Sequence, residues 1–276
     1  MLTVSGLYVY PIKSLGGIAV NNALVTSRGL QYDRRMMLVD EQNMFLTQRE
    51  HAVMALLQPA IEEDGLYIHH KKNGLPPLFI PHQPANNNSI TVTVWDDTCS
   101  AILYEDNINE WFTEALQMTC KLAYMPDNSL REVDKRYAQD NEITSFADGY
   151  PMLLIGQASL DDLNGRLASP IPMNRFRPNI VFTGGEPFFE DQMRSFSIND
   201  IAFYGVKPCA RCVMTTIDQE SGIGSKEPLK TLARYRFKNN KILFGQNLLH
   251  KGEGSISVGD IIHVHETQAA AIEPVI

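Results

Sequence analysis

The stretch Ser-Ile-Thr-Val-Thr-Val-Trp, residues 89–95, alternates polar and apolar side chains and is rich in β-branched residues. Alternation with period two is the mark of a pleated strand with one buried face. The Pro- and Asn-rich run just before it, Pro81–Ser89, is the strongest loop signal in the chain. Working outward, Leu7–Tyr10, Met36–Val39 and Met44–Thr47 are further short apolar runs, the last two joined by a tight turn at Asp40–Asn43. Later strands are expected at Ile180–Phe182, Ile201–Tyr204, Val213–Ile217 and Ile261–His265. Helices are fewer. Asn107–Met118 puts Ile108, Trp111, Phe112 and Leu116 on one stripe. Gln157–Leu167 carries Leu160, Leu163 and Leu167 at helical spacing, with Ser159 as N-cap, and Pro228–Tyr235 reads as a short helix with proline in its first turn. Strands dominate and rarely alternate with helices, so the class is mainly β with covering helices (α+β), a barrel rather than a doubly wound sheet.

A chain of 276 residues with 44% hydrophobic content buries a sizeable core. The composition shifts little along it. A boundary near residue 121 gives an N-terminal β-barrel-like domain, 1–120, a second domain, 121–268, and a tail, 269–276. With 24 cationic and 32 anionic residues the formal charge is −8. Such a chain has no global attraction for nucleic acid or anionic membrane, although local basic clusters can still hold a small anion. No apolar run approaches the roughly 20 residues of a membrane span. The N-terminus lacks the pattern of a signal peptide, so a cytoplasmic protein is expected.

Four cysteines do not make a disulfide framework in a chain this long. Cys99 and Cys120 are scattered, whereas Cys209 and Cys212 share the segment Lys207-Pro-Cys-Ala-Arg-Cys212. A zinc ribbon needs a second pair. A thioredoxin-like site needs a helix after the motif, and a strand-like run follows here. A single thiolate ligand to a soft metal, favoured by the neighbouring Arg211 and Lys207, and a pair of buried structural cysteines both remain open. Arg175-Phe-Arg-Pro-Asn179 sets two arginines at a strand mouth, as an anion site or as surface ion pairs. Tyr10-Pro-Ile-Lys-Ser14 offers an ammonium, a hydroxyl and backbone N–H groups, or is an ordinary turn. Tyr32-Asp-Arg-Arg35 adds two cations. His263 and His265 share a strand face, as metal ligands or as exposed strand residues, and no third ligand is suggested by spacing.

Taken in order, YPIKSLGG, GLQYDRR, FRPNIVFTGG and PCARCVMTTID ahead of KEPLKTL make a set more specific than any one of its parts. Over about residues 3 to 265 it resembles the MOSC (molybdenum cofactor sulfurase C-terminal) family with its N-terminal β-barrel companion. Within that family it is similar to the mitochondrial amidoxime-reducing component and to bacterial reductases of N-hydroxylated compounds. The resemblance implies that Cys212 ligates molybdenum in a pyranopterin dithiolene cofactor. It further implies that Lys13, Ser14, Arg34, Arg177 and Asn179 hold the cofactor's phosphate and pterin, that Arg211 assists, and that Gly149 and Tyr150 supply backbone contacts. Ala210 departs from the pattern, where relatives carry a hydroxyl residue. The implied activity is reduction of hydroxylamines, amidoximes and N-hydroxylated bases. Electrons would come from a separate flavoprotein or ferredoxin-type partner, because the chain has neither a ferredoxin cysteine set nor a dinucleotide fingerprint. The rival reading is a non-redox cofactor carrier or sulfur-transfer module with a persulfide on Cys212.

Overall fold

In the computed structural model, which describes residues 1–138 and 140–272, the alternating run forms strand Ser89–Val94. Val92 and Val94 are fully buried, while Ser89 and Thr91 face outward. Trp95 adopts a left-handed conformation (φ 57°) that turns the chain back into the antiparallel strand Asp97–Leu103. Lys121–Tyr124 and then Met36–Val39 complete a four-stranded sheet. Helix Asp106–Leu116 packs Ile108, Phe112 and Leu116 onto the apolar cluster beneath it, and Gln117 (φ 54°) ends it two residues before the expected stop.

The larger unit is a closed barrel. Its strands run in the order Met152–Gly156, Ile180–Thr183, Leu2–Val9, Ile261–Thr267, Met193–Ile198, Ile201–Ala210 and Lys241–Lys251. The last of these pairs back onto the first. Closure leaves none of these seven strands with a free edge. Strand Leu2–Val9 belongs to this barrel, and Lys121–Tyr124 belongs to the other sheet, so the chain crosses between the two units more than once. Residues 273–276 of the expected tail lie outside the described residues.

Period-two alternation sorts the barrel's side chains into two clusters. Met152, Leu154, Ile180 and Phe182 join Val4, Leu7, Phe196, Phe203 and Ile262 in one. Leu153, Ile155 and Val181, pointing the other way from the same strands, pack with Leu160, Leu163, Phe176 and Phe244 under helix Gln157–Arg166. Each fully buried side chain of this size contributes about 1.5–3 kcal/mol.

Four local expectations are corrected. Val213–Ile217 is no strand: Val213–Thr216 is a 3-10 turn, because Thr215 Oγ1 donates to the Cys212 carbonyl (3.0 Å) and Thr216 Oγ1 to the Val213 carbonyl (2.7 Å). Threonine hydroxyls offer the backbone this local alternative to a ladder. Ser159 caps nothing. The helix begins after Gly156, and Ser159 sits buried inside it, donating to Glu190 Oε2 at 2.8 Å and accepting from the Phe188 N–H at 2.7 Å. Met44–Thr47 makes only isolated bridges, Val39 to Phe45 and Met44 to Thr93. The helix expected over Pro228–Tyr235 is a single turn, Leu229–Leu232.

Candidate functional site

Where the two units meet, a cavity of about 290 Å3 opens at the ends of several barrel strands. Its wall contains Lys13, Ser14, Arg34, Gly149, Tyr150, Arg177, Asn179, Arg211 and Cys212, every residue that the family resemblance implied for the site. It also contains Arg49, Arg175, Lys207 and Lys241, so eight cationic side chains face one carboxylate, Asp148. In a chain of net charge −8 this is a strong local inversion of sign.

The segment after strand Leu2–Val9 supplies the first cations. Lys13 is 5% exposed. Its Nζ donates to the Phe146 carbonyl (2.8 Å) and to Asp148 Oδ1 (2.6 Å), and its backbone N–H to the Met36 carbonyl. Burial pulls the Lys13 ammonium down to about 8 against the opposing pull of Asp148. Asp148 is more than half exposed. Partial burial raises its carboxyl, but Lys13 and Arg49 together hold it below the usual carboxylate range. Arg49 reaches Asp148 Oδ2 at 3.2 Å and lies over the Trp95 ring, whose Nε1 donates to Asp148 Oδ1. Ser14 follows in a left-handed conformation (φ 67°), with its Oγ buried and unpaired.

Two guanidiniums lie against the ring of Tyr10, Arg177 at 4.2 Å and Arg34 at 4.5 Å. Burial alone would disfavour the charge on Arg34, but Asp33 outweighs it with a 2.5 Å ion pair, and the arginine holds its proton above the ordinary value. Asp33 is itself fixed by the Tyr10 N–H at 2.9 Å. Arg34 also donates to Asn179 Oδ1 (3.3 Å) and to the Arg177 carbonyl (3.4 Å). Arg177 has no carboxylate partner among the described residues. Its Nη1 donates to the Leu15 carbonyl at 2.6 Å, while Nη2 is buried and unpaired. Burial lowers it to about 10, so it stays charged at neutral pH. Asn179 is locked by the Leu153 N–H and the Tyr8 carbonyl.

At the far wall, strand Ile201–Ala210 delivers the cysteine segment. Arg211 donates to Cys209 Sγ (2.9 Å) and to the Phe176 carbonyl (2.5 Å), leaving its Nε buried without a partner. The cation beside this motif is thus bonded to Cys209 rather than Cys212. Cys212 is a partly exposed free thiol whose carbonyl is held by Thr215. Arg175, also on the cavity wall, bonds the Thr215 carbonyl and pairs loosely with Asp218. Cys99 and Cys120 are buried core residues. His263 and His265 are exposed on their strand, and neither lines the cavity. His265 meets Ser197 Oγ at 3.0 Å.

Sequence reasoning missed Arg49, Asp148, Lys241 and Asn247. Arg49 and Asp148 come from loops with no motif. Asn247 lies in the long strand Lys241–Lys251, whose polar centre Gln246-Asn247 conceals it from a search for apolar runs. No three His, Cys, Asp or Glu side chains gather as a metal-ligand set among the described residues. No described helix is long and apolar enough to cross a membrane.

A chain-wide comparison fits this arrangement. Residues 1–119 match the model of the MOSC N-terminal beta barrel domain, and residues 141–263 match that of the MOSC domain. Among similar proteins, mitochondrial amidoxime-reducing component 1 of Mus musculus is 31% identical over 95% of this chain and 82% of its own length. Mitochondrial amidoxime reducing component 2 of Rattus norvegicus is 32% identical over the same shares. Molybdenum cofactor sulfurase of Oryza sativa subsp. japonica is 31% identical over 88% of this chain, but only 32% of that longer protein is covered. With relatives of this identity and coverage, and with both domain models matched in order, the chain belongs to the MOSC family.

Proposed function

We propose that the cavity holds a molybdenum–pyranopterin cofactor and that the protein reduces N-hydroxylated compounds with electrons from a separate redox protein. One observation carries the reading. Four buried polar atoms, Ser14 Oγ, Arg49 Nε, Arg177 Nη2 and Arg211 Nε, stand without partners on residues of a single cation-lined cavity that also contains the free thiols Cys209 and Cys212. Buried polar groups normally find partners, and orphans at a concave site mark where a ligand's polar atoms belong. A phosphate-bearing group suits the eight cations. A metal at Cys212 would need its remaining ligands from the cofactor itself, because the described residues bring no further ligand set to it.

On this reading Arg177, Arg34, Lys13 and Ser14 hold the phosphate and pterin, and Asn179 keeps Arg34 aligned. Cys212 supplies a soft thiolate to the metal. Arg211 bridges the cysteine segment to the Phe176 carbonyl and so fixes the position of the loop that carries Cys212. The bound cofactor supplies the redox chemistry, two electrons per turnover. The substrate's N–O bond takes those electrons with two protons, giving the N–H product and water. Tyr150, Met214 and Lys207 line the same cavity and shape the space left for a small substrate.

The likeness to amidoxime-reducing proteins over nearly the whole chain supports a reductase. The likeness to cofactor sulfurases supports the second reading, a carrier or sulfur-transfer module with a persulfide on Cys212. The test is expression in a molybdenum-replete host, followed by metal and pterin analysis and an assay of benzamidoxime reduction with reduced viologen. Bound cofactor with turnover supports the reductase. Bound cofactor without turnover, with sulfane sulfur on Cys212, supports the carrier. Absence of both metal and pterin refutes both readings.

A further inference from the structure

A second cavity, of about 450 Å3, shares no lining residue with the first. The two are served by one segment: Arg34 lines the first, while Tyr32, Arg35 and Met36 line the second. Arg28 and Arg35 bring two guanidiniums to it, against one carboxylate, Asp127. Arg28 is 6% exposed, and among the described residues its guanidinium bonds only the Asp127 and Ser129 carbonyls and Met125 sulfur. Arg35 makes all its hydrogen bonds from Nη2, to Asp127 Oδ1, the Met125 carbonyl and Tyr124 Oη. Its Nε is buried and unpaired, and its Nη1 has no partner among the described residues. Asp127 is 83% exposed, so water screens most of what it offers the two arginines. Burial, and then the charge of Arg35, hold Arg28 below its ordinary value, as expected of cations that lack a full counter-charge.

The remaining lining is mixed: Thr26, Ser27, Gln31 and Gln83 are polar, and the rest is aromatic or apolar. Tyr32 stacks on His82 with ring centroids 4.7 Å apart and 16° between planes. His82 Nε2 sits 3.2 Å from both the Glu62 and Glu63 carbonyls. Carbonyls only accept, so this nitrogen carries the proton and the ring is held in place. Tyr32 is left-handed (φ 68°), a conformation that bulky residues rarely adopt and that concentrates at binding sites. Leu30, Met36 and Leu66, all buried, complete the wall.

We infer that this second cavity binds a planar aromatic carboxylate, its charge taken by the unpaired Nη1 of Arg35 and its ring laid against the Tyr32–His82 pair. A charged N–H donor favours a carboxylate over a neutral acceptor, and a fixed stacked pair favours a flat ring over a puckered one. The inference does not depend on what that first cavity holds.

Isothermal titration of the full chain with benzoate, benzamide and cyclohexanecarboxylate tests this. Benzoate should bind about tenfold or more tightly than the neutral benzamide, the usual worth of a hydrogen bond to a charged group. Cyclohexanecarboxylate should bind more weakly than benzoate. The benzoate component should be lost in Arg35→Gln and kept in Lys13→Gln, which alters only the first cavity. If Arg35→Gln does not fold, Tyr32→Asn serves instead, because asparagine tolerates the left-handed backbone while removing the ring. Equal affinity for benzoate and benzamide, equal affinity for the flat and puckered acids, or no component dependent on Arg35 or Tyr32 overturns the inference.

Discussion

Replacing Arg177 by alanine separates a cofactor-binding role from a structural one, because two effects of similar size oppose each other in the unliganded protein. Arg177 is 7% exposed. Burial holds its guanidinium at about 10, well below its ordinary value. A cation whose folded-state value is lowered destabilises the fold at neutral pH, here by roughly 3 kcal/mol, and truncation relieves that. Against this, the Leu15 carbonyl loses its 2.6 Å donor, at about 1–3 kcal/mol. The contact with the Tyr10 ring goes too, at about 0.5–2 kcal/mol. The sum lies near zero, so the melting temperature of the apoprotein should move by no more than about 5 °C. Cofactor binding has no such compensation. Loss of one charge-assisted contact weakens it by about 1.5–3 kcal/mol, ten- to a hundredfold. Molybdenum measured by mass spectrometry and pterin measured by fluorescence should therefore fall steeply in a variant that melts almost normally. Wild-type pterin content in folded Arg177→Ala refutes the reasoning. So does a large drop in apoprotein stability with no loss of cofactor.

Cys212→Ser should abolish reductase activity and metal retention with the fold intact, because a hydroxyl is a poor soft ligand; Cys209→Ser should be milder, and equal loss in metal analysis of the two would point to a two-cysteine site. Lys13 sits at about 8, below its ordinary 10.5, so between those values the unfolded chain holds a proton that the folded chain lacks, and apoprotein stability should rise with pH across that window. Over the same window pyrophosphate binding should weaken, and Lys13→Arg should remove the effect; a flat titration from pH 7 to 10 would exclude Lys13 from anion binding. Cofactor-loaded protein should reduce benzamidoxime with reduced viologen but not with NADPH alone, and a flavoprotein or ferredoxin-type carrier should restore nucleotide-driven turnover, which robust activity with NADPH alone would contradict.

How much of this was legible in the sequence follows from how each signal arises. Ser89–Val94 was readable because one face is buried and the other is wet, which writes an alternation. Helix Asp106–Leu116 was readable because its buried stripe faces one cluster. Lys241–Lys251, the longest strand, was not. It carries Gly245 at φ 84° and the buried Gln246 in its middle, and it packs on both faces, so it shows neither alternation nor an apolar run. Val213–Thr216 misled for the opposite reason: β-branched residues look like a strand until their hydroxyls turn back onto their own backbone. Motifs found the site residues because they bear chemistry at fixed spacing. Arg49 and Asp148 were invisible because their relation to Lys13 exists only in space, across 36 and 135 positions of sequence.

An acidic chain pays for such a pocket in backbone strain as well as in desolvation. Among the residues singled out for anion binding, Ser14, Arg34 and Arg177 all have positive φ, at 67°, 50° and 56°. None is glycine, and a side chain in that region costs on the order of 1 kcal/mol or more. Each turn has a geometric consequence. At Ser14 the chain reverses after delivering Lys13 to Asp148. At Arg34 it lets Asp33 point inward to the Tyr10 N–H while its neighbour's guanidinium faces the cavity. At Arg177 it brings a second guanidinium onto the Tyr10 ring that also carries Arg34. The ion pair of Arg34 with Asp33 and the shared Tyr10 ring offset part of the repulsion between these like charges. The strain therefore sits where an anionic ligand would relieve the repulsion, and ligand binding should stabilise the protein more than its contact area alone would suggest.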